Sequence, residues 1–311
     1  MTSDNHNQSD QDISLLDLIE VIWEGRKLLL ATMSIVFTAA IFITLLMTNI
    51  YKSEVLLAPS EDISSNDPIS TYSELASVAG IDLGGSVNSP GENKILEGIE
   101  ILKSRKFVTD FIQKRDLLPV LMAAKNWDAS NKKLILDHRK YDSKKAIWKD
   151  SFFYSKPSMQ KAYQKFMDDN LSINRDKKTG FIKLSISHVS PVHSKNLVDW
   201  YIEDLNEVMK LEVINQAESS ISYLDEQLSK TTDNALQQVF YRLIQEQTKT
   251  IMLAKGRKEY LFKTLDPAII PERKFSPART LIVIISTIIS FMFAAVYLLL
   301  NHYFFKKNSF Q

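Results

Sequence analysis

The sequence predicts an α+β membrane protein: two transmembrane helices flanking a periplasmic domain with a small α/β base and a long helical hairpin. Three observations predict it. Uncharged apolar runs of membrane-spanning length lie near the two ends, at 28–51 and 280–305. A strand-type alternation broken by a turn occupies 171–188, and a proline-free stretch at 192–266 carries apolar residues at heptad spacing.

Each apolar run exceeds the roughly 20 residues that cross about 30 Å of hydrocarbon as a helix. A cleaved signal peptide is the alternative for the first run, but that needs an apolar core of only about 7–15 residues next to the N-terminus. Here the run starts at Leu28, behind an acidic tail with Asp4, Asp10, Asp12, Asp17, Glu20 and Glu24. A buried soluble helix is the alternative for the second run. Its flank Tyr303, Phe304, Phe305, followed by Lys306 and Lys307, reads instead as an interfacial anchor.

Arg26 and Lys27 precede the first run and only Lys52 follows closely, which places the N-terminus in the cytoplasm. Arg273, Lys274 and Arg279 on the loop side of the second run argue the other way. The first span normally dominates orientation, and long loops cross largely regardless of charge. The expected division is a cytoplasmic tail at 1–27, a span at 28–51, a periplasmic base at 52–189, a hairpin at 190–265, a proline-rich return at 266–279, a span at 280–305 and a tail at 306–311. The expected location is the bacterial inner membrane, as a multi-pass protein with a large periplasmic domain. The short tails leave little room for the cytoplasmic output domain of a sensor kinase or chemoreceptor.

Overall composition excludes other classes. Among 311 residues, 45% are hydrophobic, 24% are charged, and 38 Lys+Arg balance 37 Asp+Glu. A nucleic-acid binder normally carries a basic excess, so none is expected as a partner. The absence of cysteine removes disulfides, thiolate metal sites and cysteine nucleophiles.

Along the loop, 51–58 reads as a strand ended by Pro59. The Gly- and Ser-rich stretch 59–94, with GIDLGG at 80–85 and NSPGEN at 88–93, has neither P-loop spacing nor GxGxxG, so it reads as a loop and not as a phosphate cradle. Ile95, Ile99, Leu102, Phe107, Phe111 and Ile112 step at helical spacing and predict two helices broken near Ser104. The stretch 116–170 is polar with scattered aromatics (Trp127, Trp148, Phe152, Phe153), and a helix at 158–169 is expected with Ser158 as N-cap. At 171–188, Leu171 and Ile173 alternate before the turn DKKTG, and Ile182, Leu184 and Ile186 alternate after it. Gly180 supplies the left-handed position of this β-hairpin.

Ser190 caps and Pro191 opens a long helix. Ile214, Ala217, Ile221, Leu224 and Leu228 form a heptad seam, SKTTDN at 229–234 interrupts it, and a second helical run at 235–265 carries Leu236, Phe240, Leu243 and Ile251 on one face. A two-helix hairpin cannot cover a wide apolar stripe alone. The extra apolar positions Tyr201, Val208, Val213, Val239 and Ile244 therefore favour contacts with other chains over a plain solvated spacer.

Catalytic patterns are missing. His6, His138, His188, His193 and His302 form no HExxH or other ligand spacing, and no GxSxG elbow occurs. His188 and His193 read as an incidental pair, and Asp168 and Asp169 sit at a helix end with no cleft marked. No enzyme activity, cofactor or metal is expected.

The proline-rich PAIIPERKFSPAR before the second span, with Pro267, Pro271, Ser276 and Pro277, resembles the P-x2-P-x4-S-P motif of the Wzz family of polysaccharide co-polymerases, the chain-length determinants, with one extra residue between the first two prolines. YKSEVLLAP, LASVAGIDLGG, ILKSRKFVTDFI and SYLDEQLSK through LFKTLDPA extend the resemblance over nearly the whole chain. The second span departs from the family's glycine-rich pattern by holding no glycine. Ser286, Thr287, Ser290, Ala294 and Ala295 are the small residues left to make close intramembrane contacts.

The resemblance implies a non-enzymatic inner-membrane ring oligomer. It would set the modal length of O-antigen or a related lipopolysaccharide glycan, acting with a Wzy-type polymerase and the growing lipid-linked glycan. A fused kinase is not expected, because no Walker A motif is present. An export adaptor joining an ABC transporter to an outer-membrane channel, and a purely structural scaffold, are the alternatives.

Overall fold

The structure, a computed structural model, describes residues 23, 25–60, 90–149 and 155–308, with 90–92 and 302–308 described by backbone alone. The acidic tail, the GIDLGG stretch, most of NSPGEN, Phe152 and Phe153, and the side chains of the 303–307 flank lie outside the described residues. In chain order the elements are α1 Arg26–Leu46, β1 Tyr51–Pro59, α2 Pro90–Lys103, α3 Arg105–Lys114, α4 Leu118–Met122, β2 Ala124–Asp128, β3 Lys133–Leu136, β4 Tyr141–Asp142, β5 Ile147–Trp148 and α5 Met159–Lys165. A π-helical turn Phe166–Asn170 follows, then β6 Leu171–Arg175, β7 Ile182–His188, α6 Pro191–Lys230, α7 Asn234–Gly256, β8 Phe262–Asp266 and α8 Arg279–Asn308.

The chain divides into two compact units, one formed by the residues up to Thr48 with those from Ser276 onward, the other by Asn49–Phe275. The first holds α1 and α8, both long and apolar enough to cross a membrane. They run antiparallel and pack together. At one end Gly25 lies so close to Leu298 that a Cβ on it would come within 2.3 Å of Leu298 Cδ1, and at the other Arg279 donates to the Met47 carbonyl at 3.2 Å.

The second unit is built on a four-stranded antiparallel sheet of order β6-β7-β1-β8. Alternation places Ile182, Leu184 and Ile186 of β7 and Val55 and Leu57 of β1 on one buried face. The N-terminal half of α6 lies over that face with Leu197, Val198, Tyr201, Leu205 and Met209, beside Phe107, Val108, Phe111 and Ile112 of α3. Tyr201 is the centre: its ring meets Phe107 at 5.1 Å, Phe111 at 4.9 Å and Phe166 at 5.3 Å, and its hydroxyl donates to the Leu102 carbonyl. Each fully buried aliphatic or aromatic side chain of this core contributes about 1.5–3 kcal/mol.

Local signals act where expected. Ser104 caps α3 by accepting from Phe107 N–H, Ser158 caps α5 through Lys161 N–H, and Ser190 caps α6 through His193 N–H. Gly180 has φ +73° in the β6–β7 turn.

Four expectations change. The first helix ends at Leu46, not 51. Met47 is extended, and Tyr51 is drawn into β1 opposite His188. The second helical run ends at Gly256 instead of 265, because 262–266 gains a sheet partner in β1. The polar 116–170 stretch contains α4 and two small hairpins, β2–β3 and β4–β5. The helix at 158–169 is α-helical only to Lys165 and closes as a π turn.

Candidate functional site

The most exposed built feature of the second unit is the antiparallel pair α6 and α7. With 40 residues, α6 is about 60 Å long at 1.5 Å per residue. Its N-terminal half is a core helix of the base, and among the described residues its C-terminal half is covered by α7 alone. Ile214 and Ala217 are buried, while Ile221, Leu224 and Leu228 are half-buried along the same line. The matching line on α7 is Gln237, Phe240, Ile244, Gln247, Ile251 and Ala254, again stepping by 3 and 4. Phe240 and Ile251 thus face α6, but Leu236 and Leu243, expected beside them, are exposed on a neighbouring stripe with Val239 and Leu253. Among the extra apolar positions, Tyr201 belongs to the base core, Val208 and Val239 are exposed, and Val213 and Ile244 are half-buried.

The root of the hairpin is held by polar groups that pattern reading missed. Asp204, one turn from Tyr201 on α6, is only 5% exposed at its side chain. Its Oδ1 accepts from Lys114 Nζ at 3.0 Å and from Arg115 at 2.8 Å. Lys114 also reaches Glu207 at 2.7 Å and Arg115 reaches Glu203 at 3.0 Å. The hydrogen bonds to Glu207 and Asp204 raise the Lys114 pKa, and the bond to Asp204 raises that of Arg115. Adjacent Lys-Arg at the end of one helix and Glu203, Asp204 and Glu207 at i, i+1 and i+4 on another were the signal available in sequence.

His188 and His193 meet at the junction of β7 and α6, with ring centroids 5.6 Å apart. His188 is buried; its Nδ1 accepts from Ser190 N–H at 3.0 Å, so Nε2 carries the proton and donates to the Val120 carbonyl at 3.0 Å. Burial pushes the His188 pKa down to about 4, and burial lowers that of His193 as well. Both nitrogens of His188 are thus committed to structure. Asp168 and Asp169 lie exposed in the π turn, and no group of three His, Asp or Glu converges on a common point among the described residues.

The proline-rich segment is placed in two pieces. In the second unit, Pro267 is exposed and Pro271 half-exposed, and between them Ala268 is buried while the Ile269 carbonyl accepts from Ser53 Oγ at 2.7 Å. Phe275 donates its N–H to the Ile50 carbonyl at 2.8 Å, and Lys52 Nζ lies 5.0 Å from its ring centroid. In the first unit, Ser276 precedes a buried Pro277 through a cis peptide bond. On α8, Ser286, Ser290 and Ala294 line a cleft of about 680 Å³ with Leu28, Thr32 and Val36 of α1. These small residues therefore face the chain's own first helix, Ala294 being buried there and Ala295 half-buried.

What this arrangement offers is surface, in the form of a long rod with apolar flanks on a rigid root. Two solved structures are similar. One, titled a full-length bacterial polysaccharide co-polymerase, shares 12% identity with a TM-score of 0.40, over 95% of this chain and 99% of that one. The other, a fragment of WzzB, a polysaccharide co-polymerase from Salmonella Typhimurium, shares 14% identity with a TM-score of 0.31, over 73% of this chain and 100% of that one. No curated protein sequence matches the chain. The family model described as Wzz, chain length determinant protein, matches residues 11–115, the stretch that holds α1, β1, α2 and α3.

Proposed function

We propose that this chain regulates, without catalysing a reaction, the length of a surface polysaccharide such as O-antigen. It would act in the inner membrane as a ring oligomer beside a Wzy-type polymerase and the growing lipid-linked glycan. The observation that carries this reading is the family match over 11–115. The geometry is compatible with it: two helices of spanning length belong to one unit, and the C-terminal half of a helix about 60 Å long projects from the other with α7 beside it. Copies set side by side would stand their hairpins around an enclosure, and the hairpin surface would bias when the polymerase releases its product.

Deleting the gene and resolving extracted lipopolysaccharide on a gel tests the reading. The expected result is a loss of the modal band in favour of a short, unregulated ladder; an unchanged distribution would overturn it. Pro271→Ala and Pro277→Ala are expected to shift the modal length while membrane insertion persists, because proline fixes the backbone that enters the span. Wild-type distributions from both variants would remove the segment from the mechanism.

A further inference from the structure

The rod carries two unlike flanks on opposite sides. On α7, Leu236, Val239, Leu243 and Leu253 form an apolar stripe that is 38–50% exposed, with the exposed Glu246 set in it between Leu243 and Leu253 and Arg242 and Lys249 along its edge. On α6, the side turned away from α7 presents Val208 and Leu211, both exposed. There a groove of about 460 Å³ lies between α2, α3 and α6, lined by the apolar Ile101, Phe107 and Val208 and by Glu97, Asp110 and Glu212. Its upper end continues along α6 past Leu211.

The groove's charge is unspent. Lys114, which also lines it, is already paired with Asp204 and Glu207. Glu97, Asp110 and Glu212 make no ion pair among the described residues, and neither do Arg242 and Lys249 on the α7 edge. Lys106 is the one other cation in the groove lining.

Like flanks repel: α7 against α7 would set Arg242 and Lys249 against their own copies, and α6 against α6 would do the same with carboxylates. Unlike flanks match in net charge, Arg242 and Lys249 outweighing Glu246 on the α7 side against the carboxylates of the groove, and they match in length. At 1.5 Å per residue the stripe from Leu236 to Leu253 runs about 26 Å, and the groove along α6 from Asp204 to Ser220 about 24 Å. A contact between two different patches of the same chain is heterologous, and it repeats from copy to copy until a ring closes.

We propose that the α7 flank of a second copy of this chain occupies the α2–α3–α6 groove, apolar stripe on apolar lining and Arg242 and Lys249 against Glu97, Asp110 and Glu212. This rests on the oligomer in the proposed function and assigns the surfaces that build it.

Because the chain has no cysteine, Leu211→Cys and Leu253→Cys can be introduced singly and together in the full-length protein in native membranes. After oxidation, the double variant is expected to give a ladder of cross-linked multimers on a non-reducing gel, and each single variant only monomer. A dimer from either single variant, or no ladder from the double, overturns the proposal.

A second test reads charge. Glu212→Lys is expected to cut the ladder several-fold, and adding Lys249→Glu to restore it; failure to restore would overturn the assigned pairing. The outcome separates from that of the functional reading. The mass of the detergent-extracted complex reports whether an oligomer exists, cross-linking reports which surfaces build it, and glycan length on gene deletion reports function.

Discussion

Asn206 grips both sides of the Phe262 residue: Oδ1 accepts the Phe262 N–H at 3.2 Å, and Nδ2 donates to the Phe262 carbonyl at 3.3 Å. The same Oδ1 accepts Leu261 N–H at 2.9 Å, and all of this is buried. A side chain in the middle of α6 therefore takes the place of a neighbouring strand where the chain returns from α7 into β8. Replacing it by leucine leaves two N–H groups and a carbonyl dry and unpaired, each costing about 1–3 kcal/mol. Asn206→Leu is expected to lower the unfolding midpoint of the detergent-solubilised protein by the equivalent of at least about 3 kcal/mol, the low end of those three terms together. A midpoint within experimental scatter of wild type would show that the carboxamide is dispensable.

The cluster at the hairpin root separates two kinds of ion pair. Asp204 is buried and holds Lys114 and Arg115 together, whereas Glu207 is half exposed and touches Lys114 alone. Asp204→Ala leaves two cations at a partly dry site, and breaking a pair of this kind costs about 3–5 kcal/mol when burial is complete. Because Lys114 is itself half exposed, the expected loss is nearer about 2 kcal/mol. Glu207→Ala should cost under about 1 kcal/mol. Equal losses in a denaturation series would contradict this ranking.

How much of this could be read beforehand follows from the range of each signal. Helix caps at Ser104, Ser158 and Ser190, the Gly180 turn and the alternation of Ile182, Leu184 and Ile186 are local, and the structure uses them all. β8 was not legible, because FKTLD has no alternation of its own and becomes a strand only by pairing with Leu56–Pro59, some 200 residues away. The seam on α6 was readable as a heptad. The mating line on α7 was obscured, because Gln237 and Gln247 hold seam positions while Leu236 and Leu243 point elsewhere. Asp204 and Asn206 carry no burial signal in the sequence, since burial of a polar side chain depends on partners that sequence does not place.

Acid should loosen the junction of β7 and α6. His188 can accept Ser190 N–H only while Nδ1 is unprotonated, and its pKa falls from 6.5 to about 4. The neighbours facing it, His193 from α6 and Lys165 from α5, both oppose a positive charge there. A depressed folded-state pKa means that the stabilisation is complete above the unfolded value of 6.5 and is lost as pH falls through about 4. His193, also lowered, adds with the same sign. Unfolding midpoints are expected to drop between pH 7 and 4, with early amide-exchange loss at the first turn of α6. His188→Asn, whose Oδ1 can still accept Ser190 N–H, should flatten part of that drop. An identical pH profile in this variant would assign the loss to other groups.

The small residues of α8 offer a direct choice between two partners. Ala294 is buried against the chain's own α1, on the same cleft as Thr32 and Val36, while Met292 nearby is largely exposed and lies outside that cleft. Ala294→Leu adds three carbons where two helices already meet, and overpacking of this kind costs about 1–3 kcal/mol. The variant should therefore lower the thermal stability of the purified chain even when no other protein is present. Met292→Leu, at a largely exposed position outside that cleft, should leave it within error. If Ser286, Ser290, Ala294 and Ala295 served only a foreign helix, the ranking would invert: Ala294→Leu would be silent in the isolated chain and would act solely on glycan length in cells.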